Sequence, residues 1–388
     1  MNILFLYLRM FHPHHGGIER VSDLLSREFL KRGHNVFFLH TIRDETLLDY
    51  PYPAPLSFFP FPQEDVERNG KFYHDFLIEN RIEMVINQDL LAYHAICGFS
   101  TELKTVHTIS VMHGNPLLVY DYLWKLTMRL RNDTFIEKIK RIARIIKVPK
   151  IKRDYWQMLK RGYEDSFAYS DLVCLLSSKF IPELKRIYPN SLDKLIAIPD
   201  PNTYRPQQLT GYAKRKQILY VGRIAWHLKR VDRLVGIWKR LYKKFPDWEL
   251  IFVGDGPIKK ELECKFAKQE RVVFAGYQDP EQYYKDASII CLTSDAEGWG
   301  MVLTEAMTFG TIPVVFNSYA AVTDIIDDGK TGLLVPPFSS ARFARALETL
   351  MIDESLRNRM SQACMQSVRR FDITTIADQW EAIFERLN

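Results

Sequence analysis

The sequence predicts an α/β protein made of two doubly wound parallel sheets facing a cleft. Three observations lead there. Its 388 residues suffice for two domains. Short apolar runs alternate with helical stretches along most of the chain. A proline-rich turn, Ile198-Pro199-Asp200-Pro201-Asn202, interrupts that rhythm near the middle. Apolar residues make up 47% and charged residues 26%, values that exclude a disordered, collagenous or coiled-coil chain.

The elements follow in order. Ile3 to Leu8 is a continuous apolar run, as in a parallel strand covered on both faces. His12 to Gly17 forms a loop, and Ile18 to Lys31 carries apolar residues at 18, 21, 24, 25 and 29, which is helical spacing. Gly33 stops that helix and Val36 to Leu39 begins the next strand. Met84 to Ile86, Ile109 to Met112 and Leu172 to Leu176 continue the first sheet. Gln217 to Val221, Glu249 to Val253, Val272 to Phe274, Ile289 to Leu292 and Ile312 to Val315 form the second. The expected domains are 1–200 and 201–370, with a C-terminal helix at 371–388 packing back on the first. Sheets of this kind bind ligands outside the carboxyl ends of their strands, so an active site is expected in the cleft.

The net charge of +6 is concentrated. Residues 125–161 hold 13 of the 53 basic residues and 3 of the 47 acidic ones, a local +10 that leaves −4 for the remainder. From Phe135 to Lys147, apolar residues at 135, 136, 139, 142, 143 and 146 share one helical face. Lys138, Lys140, Arg141, Arg144 and Lys147 flank it, and Pro149 is expected to end the run. Such a helix suits an anionic membrane surface, or is simply a domain helix with a solvated basic face. Sparse aromatic interleaving argues against nucleic acid.

The five scattered cysteines, Cys97, Cys174, Cys264, Cys291 and Cys364, read as core thiols in a reducing cytosol. The apolar start lacks a basic n-region and reads as a buried strand, not a signal peptide. The longest uncharged run, Ala306 to Thr323, contains Gly310 and Pro313 and is not a membrane span. The expected localisation is cytoplasmic, with peripheral association at the inner membrane face.

Three strand ends carry the chemistry. Arg223, in Val221-Gly222-Arg223-Ile224, and Lys229 make a phosphate clamp of one planar fork and one point charge. Gly254-Asp255-Gly256-Pro257 is a βα turn and not the dinucleotide fingerprint. In Ser294-Asp295-Ala296-Glu297-Gly298-Trp299-Gly300-Met301-Val302-Leu303-Thr304-Glu305, a glycine-bearing loop opens a helix, which is an anion-binding arrangement. Glu297 and Glu305 stand eight apart across it. Gly329-Lys330-Thr331 lacks the first glycine of a P-loop, and His12, His14 and His15 read as a loop lining the cleft rather than a metal set.

Together with Gly16-Gly17-Ile18-Glu19-Arg20, these motifs, in this order, resemble the retaining GT-B glycosyltransferases of family 4, whose domains are Rossmann-like. The resemblance covers almost the whole chain. It implies transfer of a sugar from a nucleotide-sugar donor to an acceptor hydroxyl, and the basic helix points to a glycan or lipid-linked acceptor. Arg223 and Lys229 would hold the donor diphosphate, Glu305 the ribose hydroxyls and Glu297 the transferred sugar. Backbone at Gly298, Trp299, Gly300, Met301, Val302 and Leu303 would line the sugar and phosphate site. Gly16 and Gly17 would admit close backbone approach, and His113 matches the histidine near the reacting carbon.

The chain departs from the family at Pro199-Asp200-Pro201-Asn202, and at Arg230, which stands where glycine is common and adds charge near the diphosphate. No Asp-x-Asp occurs, so no metal or other cofactor is expected. A GT-B sugar-nucleotide epimerase and a non-catalytic nucleotide-sugar-binding scaffold are the alternatives, and front-face and double-displacement routes both stay open.

Overall fold

A computed structural model of the chain describes residues 1–13, 16–128, 135–190, 192–205, 213–266 and 271–388, with side chains outside 124–144. His14 and His15 lie outside the described residues, as do the side chains of 135–144 in the predicted amphipathic segment. The chain forms two compact units. One comprises Met1–Pro199 with Ile376–Asn388, the other Asp200–Thr375.

Among the described residues the first unit has seven strands: β1 (Asn2–Arg9), β2 (Asn35–Ile42), β3 (Leu56–Phe58), β4 (Met84–Asn87), β5 (His107–Met112), β6 (Leu172–Leu175) and β7 (Leu195–Ala197). Their order is β3-β2-β1-β4-β5-β6-β7, all parallel. The order reverses between β1 and β4, and there a doubly wound sheet opens its ligand crevice. Ile3 to Leu6 are at most 1% exposed, as a strand covered on both faces requires.

The second unit has β8 (Arg215–Val221), β9 (Glu249–Val253), β10 (Val272–Gly276), β11 (Ala287–Leu292), β12 (Ile312–Phe316) and β13 (Leu333–Val335). The parallel order is β10-β9-β8-β11-β12-β13, with the switch point between β8 and β11. Its core is built from Ile218, Trp238, Trp248, Phe252, Ile289 and Phe316. The edge strands β3, β7 and β13 escape the sequence reading because three residues carry no usable period.

Two expectations need correction. Pro149 does not end its helix, which runs from Phe135 to Tyr169 with the proline inside. A proline in mid-helix removes one hydrogen bond, and burial of Leu159, Tyr163 and Phe167 along the same helix outweighs that loss. Cys264 is exposed, whereas the other four cysteines are buried free thiols.

The C-terminal helix Ile373–Leu387 belongs to the first unit from Ile376 onward. Phe384 packs on Phe29, and Glu381 receives Arg32 at 2.6 Å and His34 at 2.9 Å. No helix among the described residues is long and apolar enough to cross a membrane.

His40 on β2 is fully buried among Phe11, Phe38 and Phe58, and its Nδ1 meets the Tyr7 carbonyl at 3.1 Å. Burial lowers its pKa to about 4. Below the ordinary value near 6.5 the unfolded chain takes up a proton that the folded unit refuses. Stability is therefore full above pH 6.5 and falls as the pH drops toward 4, by roughly 3 kcal/mol in total. Denaturant unfolding of the wild type and of His40→Phe at pH 4 to 7 checks this. The difference in stability between them should shift across that window, and a pH-independent difference refutes it.

Candidate active site

At the carboxyl end of the second sheet, two loops lock together through backbone alone. Gly222 N–H donates to Val253 at 3.0 Å, and Ile224 N–H to Asp255 at 2.8 Å. Gly254 has φ +136°, and a Cβ there would stand 2.1 Å from the Gly222 oxygen. The Gly254-Asp255-Gly256 turn thus holds the Arg223 loop in place. Arg223 is exposed at the tip of that loop, and its carbonyl accepts from the Tyr220 hydroxyl at 2.9 Å.

The chain then enters a strained turn. Leu228 and Arg230 are both left-handed, at φ 52° and 49°. A left-handed residue other than glycine costs of order 1 kcal/mol or more and persists only where its surroundings dictate it. Here they do: Leu228 O accepts from Asp295 N at 2.6 Å, and Arg230 O accepts from Thr293 Oγ1 at 3.0 Å. Lys229, between them, is thereby aimed at the loop after β11. Its Nζ lies 2.9 and 2.8 Å from the two oxygens of Glu297, and Ser294 Oγ donates to the same carboxylate at 2.6 Å.

Arg230, expected to add charge near the diphosphate, is paired with acidic neighbours. Its guanidinium grips Asp232 at 2.7 Å and lies 3.6 Å from Asp295, so opposed charges absorb it. Arg233 also pairs with Asp295, at 2.5 Å. His227 is exposed.

Past Glu297, Gly298 and Gly300 are partly exposed and Trp299 is buried, edge-on to Phe371. Gly300 is left-handed at φ 98° and opens the helix Met301–Thr308. Along its first turn Met301 and Leu303 are buried and Val302 is partly exposed. The Tyr319 hydroxyl lies 2.7 Å from where a Gly300 Cβ would stand, so only glycine fits here. That hydroxyl is buried without a hydrogen-bond partner among the described residues, and burial with the charge of Glu297 raises its pKa far above the ordinary value.

Glu305 is 0% exposed. Its oxygens accept from Thr203 Oγ1 at 2.6 Å and from the Tyr284 hydroxyl at 2.8 Å. Arg223, Lys229, Glu297, Gly298, Trp299, Gly300, Met301, Val302, Leu303 and Glu305 thus belong to one unit, at the ends of β8 and β11. Within it the structure joins Lys229 to Glu297 directly, and Glu305 sits behind them in the interior.

The remaining candidates lie in the first unit. Gly16 is extended, at φ −174°, and caps the helix Gly17–Lys31, where Gly17 is exposed. The Glu19 carboxylate occupies the space a Gly16 Cβ would need and accepts from the Tyr7 hydroxyl at 2.9 Å. Beside it Asp89 accepts from Leu8 N at 2.7 Å, and burial raises its pKa to about 6. His113 follows β5 and pairs through Nε2 with Gln88 Oε1. Burial lowers its pKa to about 3, which keeps the ring neutral. His12 packs edge-on against Tyr50.

Tyr319, Thr203, Tyr284, Gln88 and Asp89 join these groups without a signal in the sequence, whereas Ser294 opens the motif that runs to Glu305. Glu19 had one, since it sits inside the Gly16-Gly17-Ile18-Glu19-Arg20 motif.

Residues 204–366 match the family model of glycosyl transferases group 1. An uncharacterized glycosyltransferase of Haemophilus influenzae is 31% identical over 49% of this chain and 55% of its own. The amylovoran biosynthesis glycosyltransferase AmsD of Erwinia amylovora is 32% identical over 44% and 48%. The chain thus spans about half the length of these curated relatives. Among solved structures, HepE of Anabaena in complex with UDP superposes over 100% of both chains with a TM-score of 0.74 at 16% identity, a likeness of fold.

Proposed function

We propose that this chain, which carries a glycosyl transferases group 1 domain at residues 204–366 on a GT-B fold, transfers a sugar from a nucleotide-sugar donor to an acceptor hydroxyl. Retention of anomeric configuration and independence from metal are part of the proposal. So is a role in building a cell-surface polysaccharide or a lipid-linked glycan. The observation that carries it is the Lys229–Glu297–Ser294 cluster, set by two strained residues at the switch point of a parallel sheet.

Departure of a nucleoside diphosphate develops negative charge, which a fixed ammonium, a guanidinium and helix-end N–H groups stabilise. An arriving diphosphate competes with Glu297 for Lys229. The exchange frees the Glu297 carboxylate for sugar hydroxyls while Lys229 and Arg223 turn to phosphate. Glu305 and the neighbouring helix N-terminus complete the donor site. HepE was solved with UDP-glucose, which makes a uridine nucleotide the first donor to test.

The experiment is a panel of UDP-, GDP- and ADP-sugars, with donor hydrolysis and transfer followed by NMR at the anomeric proton, with and without EDTA. Turnover of one donor with retention, unchanged by EDTA, is expected. Inversion or strict dependence on a divalent ion refutes the corresponding part.

The acceptor side rests on the basic segment. In the long helix Ile146 is 74% exposed, Ile151 41% and Met158 53%, with Lys147, Lys150, Arg153 and Arg161 exposed among them. Apolar side chains held in water among cations fit the surface of an anionic membrane. Flotation with anionic vesicles, and its loss after charge reversal at Lys140, Arg141 and Arg144, tests this; equal flotation of both proteins overturns it.

A further inference from the structure

We propose that the second unit carries a binding site for a small organic carboxylate, with Lys214 as its counter-charge. The site lies at the end of the sheet opposite the Lys229–Glu297 cluster.

Lys214 immediately precedes β8, and the neighbouring strands β11 and β12 begin at the same end of the sheet, at Ala287 and Ile312. A cavity of about 360 Å³ opens there, between these strand starts and the helix Glu354–Ser367. Its walls are of two kinds. Lys214, Arg357 and Ser361 supply polar groups, and Phe309, Ile312 and Met365 supply an apolar side. Sugar transfer has no use for this cavity, since parallel sheets work at the carboxyl ends of their strands.

The charge in the cavity is uncompensated. Lys214 Nζ donates to the Tyr284 carbonyl at 2.7 Å and to Thr311 Oγ1 at 2.9 Å. An ammonium has three donors, so one is left over. Among the described residues no carboxylate pairs with it. Asp286 turns to Arg215 at 3.8 Å, and Glu354, 76% exposed, lies 3.9 Å from Arg357. Residues 206–212, just before this stretch, contain no acid. Arg357 already serves the Leu350 and Met351 carbonyls, at 2.6 and 3.1 Å. The thiol of Cys364 donates to Thr331 O at 2.9 Å, and burial keeps it protonated.

An ammonium that loses hydration without gaining an opposite charge becomes a weaker base. Burial accordingly lowers the Lys214 pKa to about 7, with Asp286 and Cys364 pulling the other way from further off. An anion in the cavity restores the missing charge. One charge is needed, which a carboxylate supplies, whereas inorganic phosphate carries more than one near neutral pH. The apolar wall suits the organic part of the molecule.

The test titrates benzoate, its neutral isostere benzamide and inorganic phosphate into the full chain by calorimetry, at constant ionic strength. Benzoate should bind at pH 6.5, where Lys214 holds its proton. At pH 8.5 the amine is mostly neutral, and the affinity should be about 10- to 30-fold lower. Benzamide and phosphate should bind more weakly than benzoate at pH 6.5. Lys214→Met should lose benzoate. Gln362→Trp obstructs the mouth of the cavity and leaves the bonds of Lys214 intact, so it should lose benzoate too, even if Lys214→Met fails to fold. Absence of benzoate binding at pH 6.5, equal binding of benzamide, or wild-type affinity in either folded variant overturns the site. Tighter binding of phosphate than of benzoate overturns the carboxylate class. None of these readouts involves sugar transfer, so the site stands or falls apart from that reading.

Discussion

Lys229→Met should lower kcat for sugar transfer by about 10²- to 10³-fold, the usual cost of deleting one fixed stabiliser of developing negative charge. The expectation follows from how the ammonium is held. Two left-handed residues and two hydrogen bonds to the loop after β11 fix the Lys229 backbone. Its charge is kept partly out of water against Glu297, with the two side chains 34% and 11% exposed. Preorganisation of this kind is lost by methionine and only partly recovered by arginine, whose planar fork needs a different approach. The loss should appear equally in donor hydrolysis, because both reactions expel the same diphosphate. Removing Lys229 also leaves Glu297 with Ser294 as its partner among the described residues, so Glu297→Gln in the Lys229→Met background should cost less than Glu297→Gln alone. Wild-type turnover by Lys229→Met, in a protein of unchanged melting temperature, sinks the assignment of the diphosphate site.

The parts of this site legible in the sequence are those where chemistry restricts the residue and the backbone restricts its neighbours. Gly254-Asp255-Gly256 stands out because a loop that must approach another backbone tolerates only glycine, and Gly222 and Gly300 because their backbone is left-handed. The 2.1 Å approach at Gly254 gives that requirement a number. The two-sheet fold was legible for a similar reason: buried parallel strands such as Ile3 to Leu6 read as uninterrupted apolar runs.

Contacts distant in sequence left no such trace. Thr203 reaches Glu305 across 102 residues, and Gln88 reaches His113 across 25. The partners of Arg230 were not legible either, since a sequence records a charge but not its direction. Its neighbour Asp232, two residues on, takes that charge up. Pro149 misled because a local rule was applied where tertiary packing decides.

Glu305 is where the two kinds of reading meet, and two substitutions separate them. Glu305→Ala deletes the acceptor of a buried tyrosine hydroxyl and of Thr203, and leaves a cavity in the interior. An orphaned buried donor costs about 1–3 kcal/mol and the cavity adds to it, roughly 3 kcal/mol in all. For a domain of this size that lowers the melting temperature by roughly 6–12 °C. Glu305→Gln keeps an acceptor oxygen and the side-chain volume, so it should hold most of the stability. Its charge is gone, however, and hydrogen bonds from ribose hydroxyls to a charged oxygen are worth about 1.5–3 kcal/mol. Donor KM should then rise by about 10- to 100-fold while the melting temperature stays near that of the wild type. Thermal unfolding and donor titration on both variants read the two effects apart. If Glu305→Gln binds donor as the wild type does while Glu305→Ala melts early, Glu305 supports the fold through Tyr284 and Thr203 and does not touch the nucleotide.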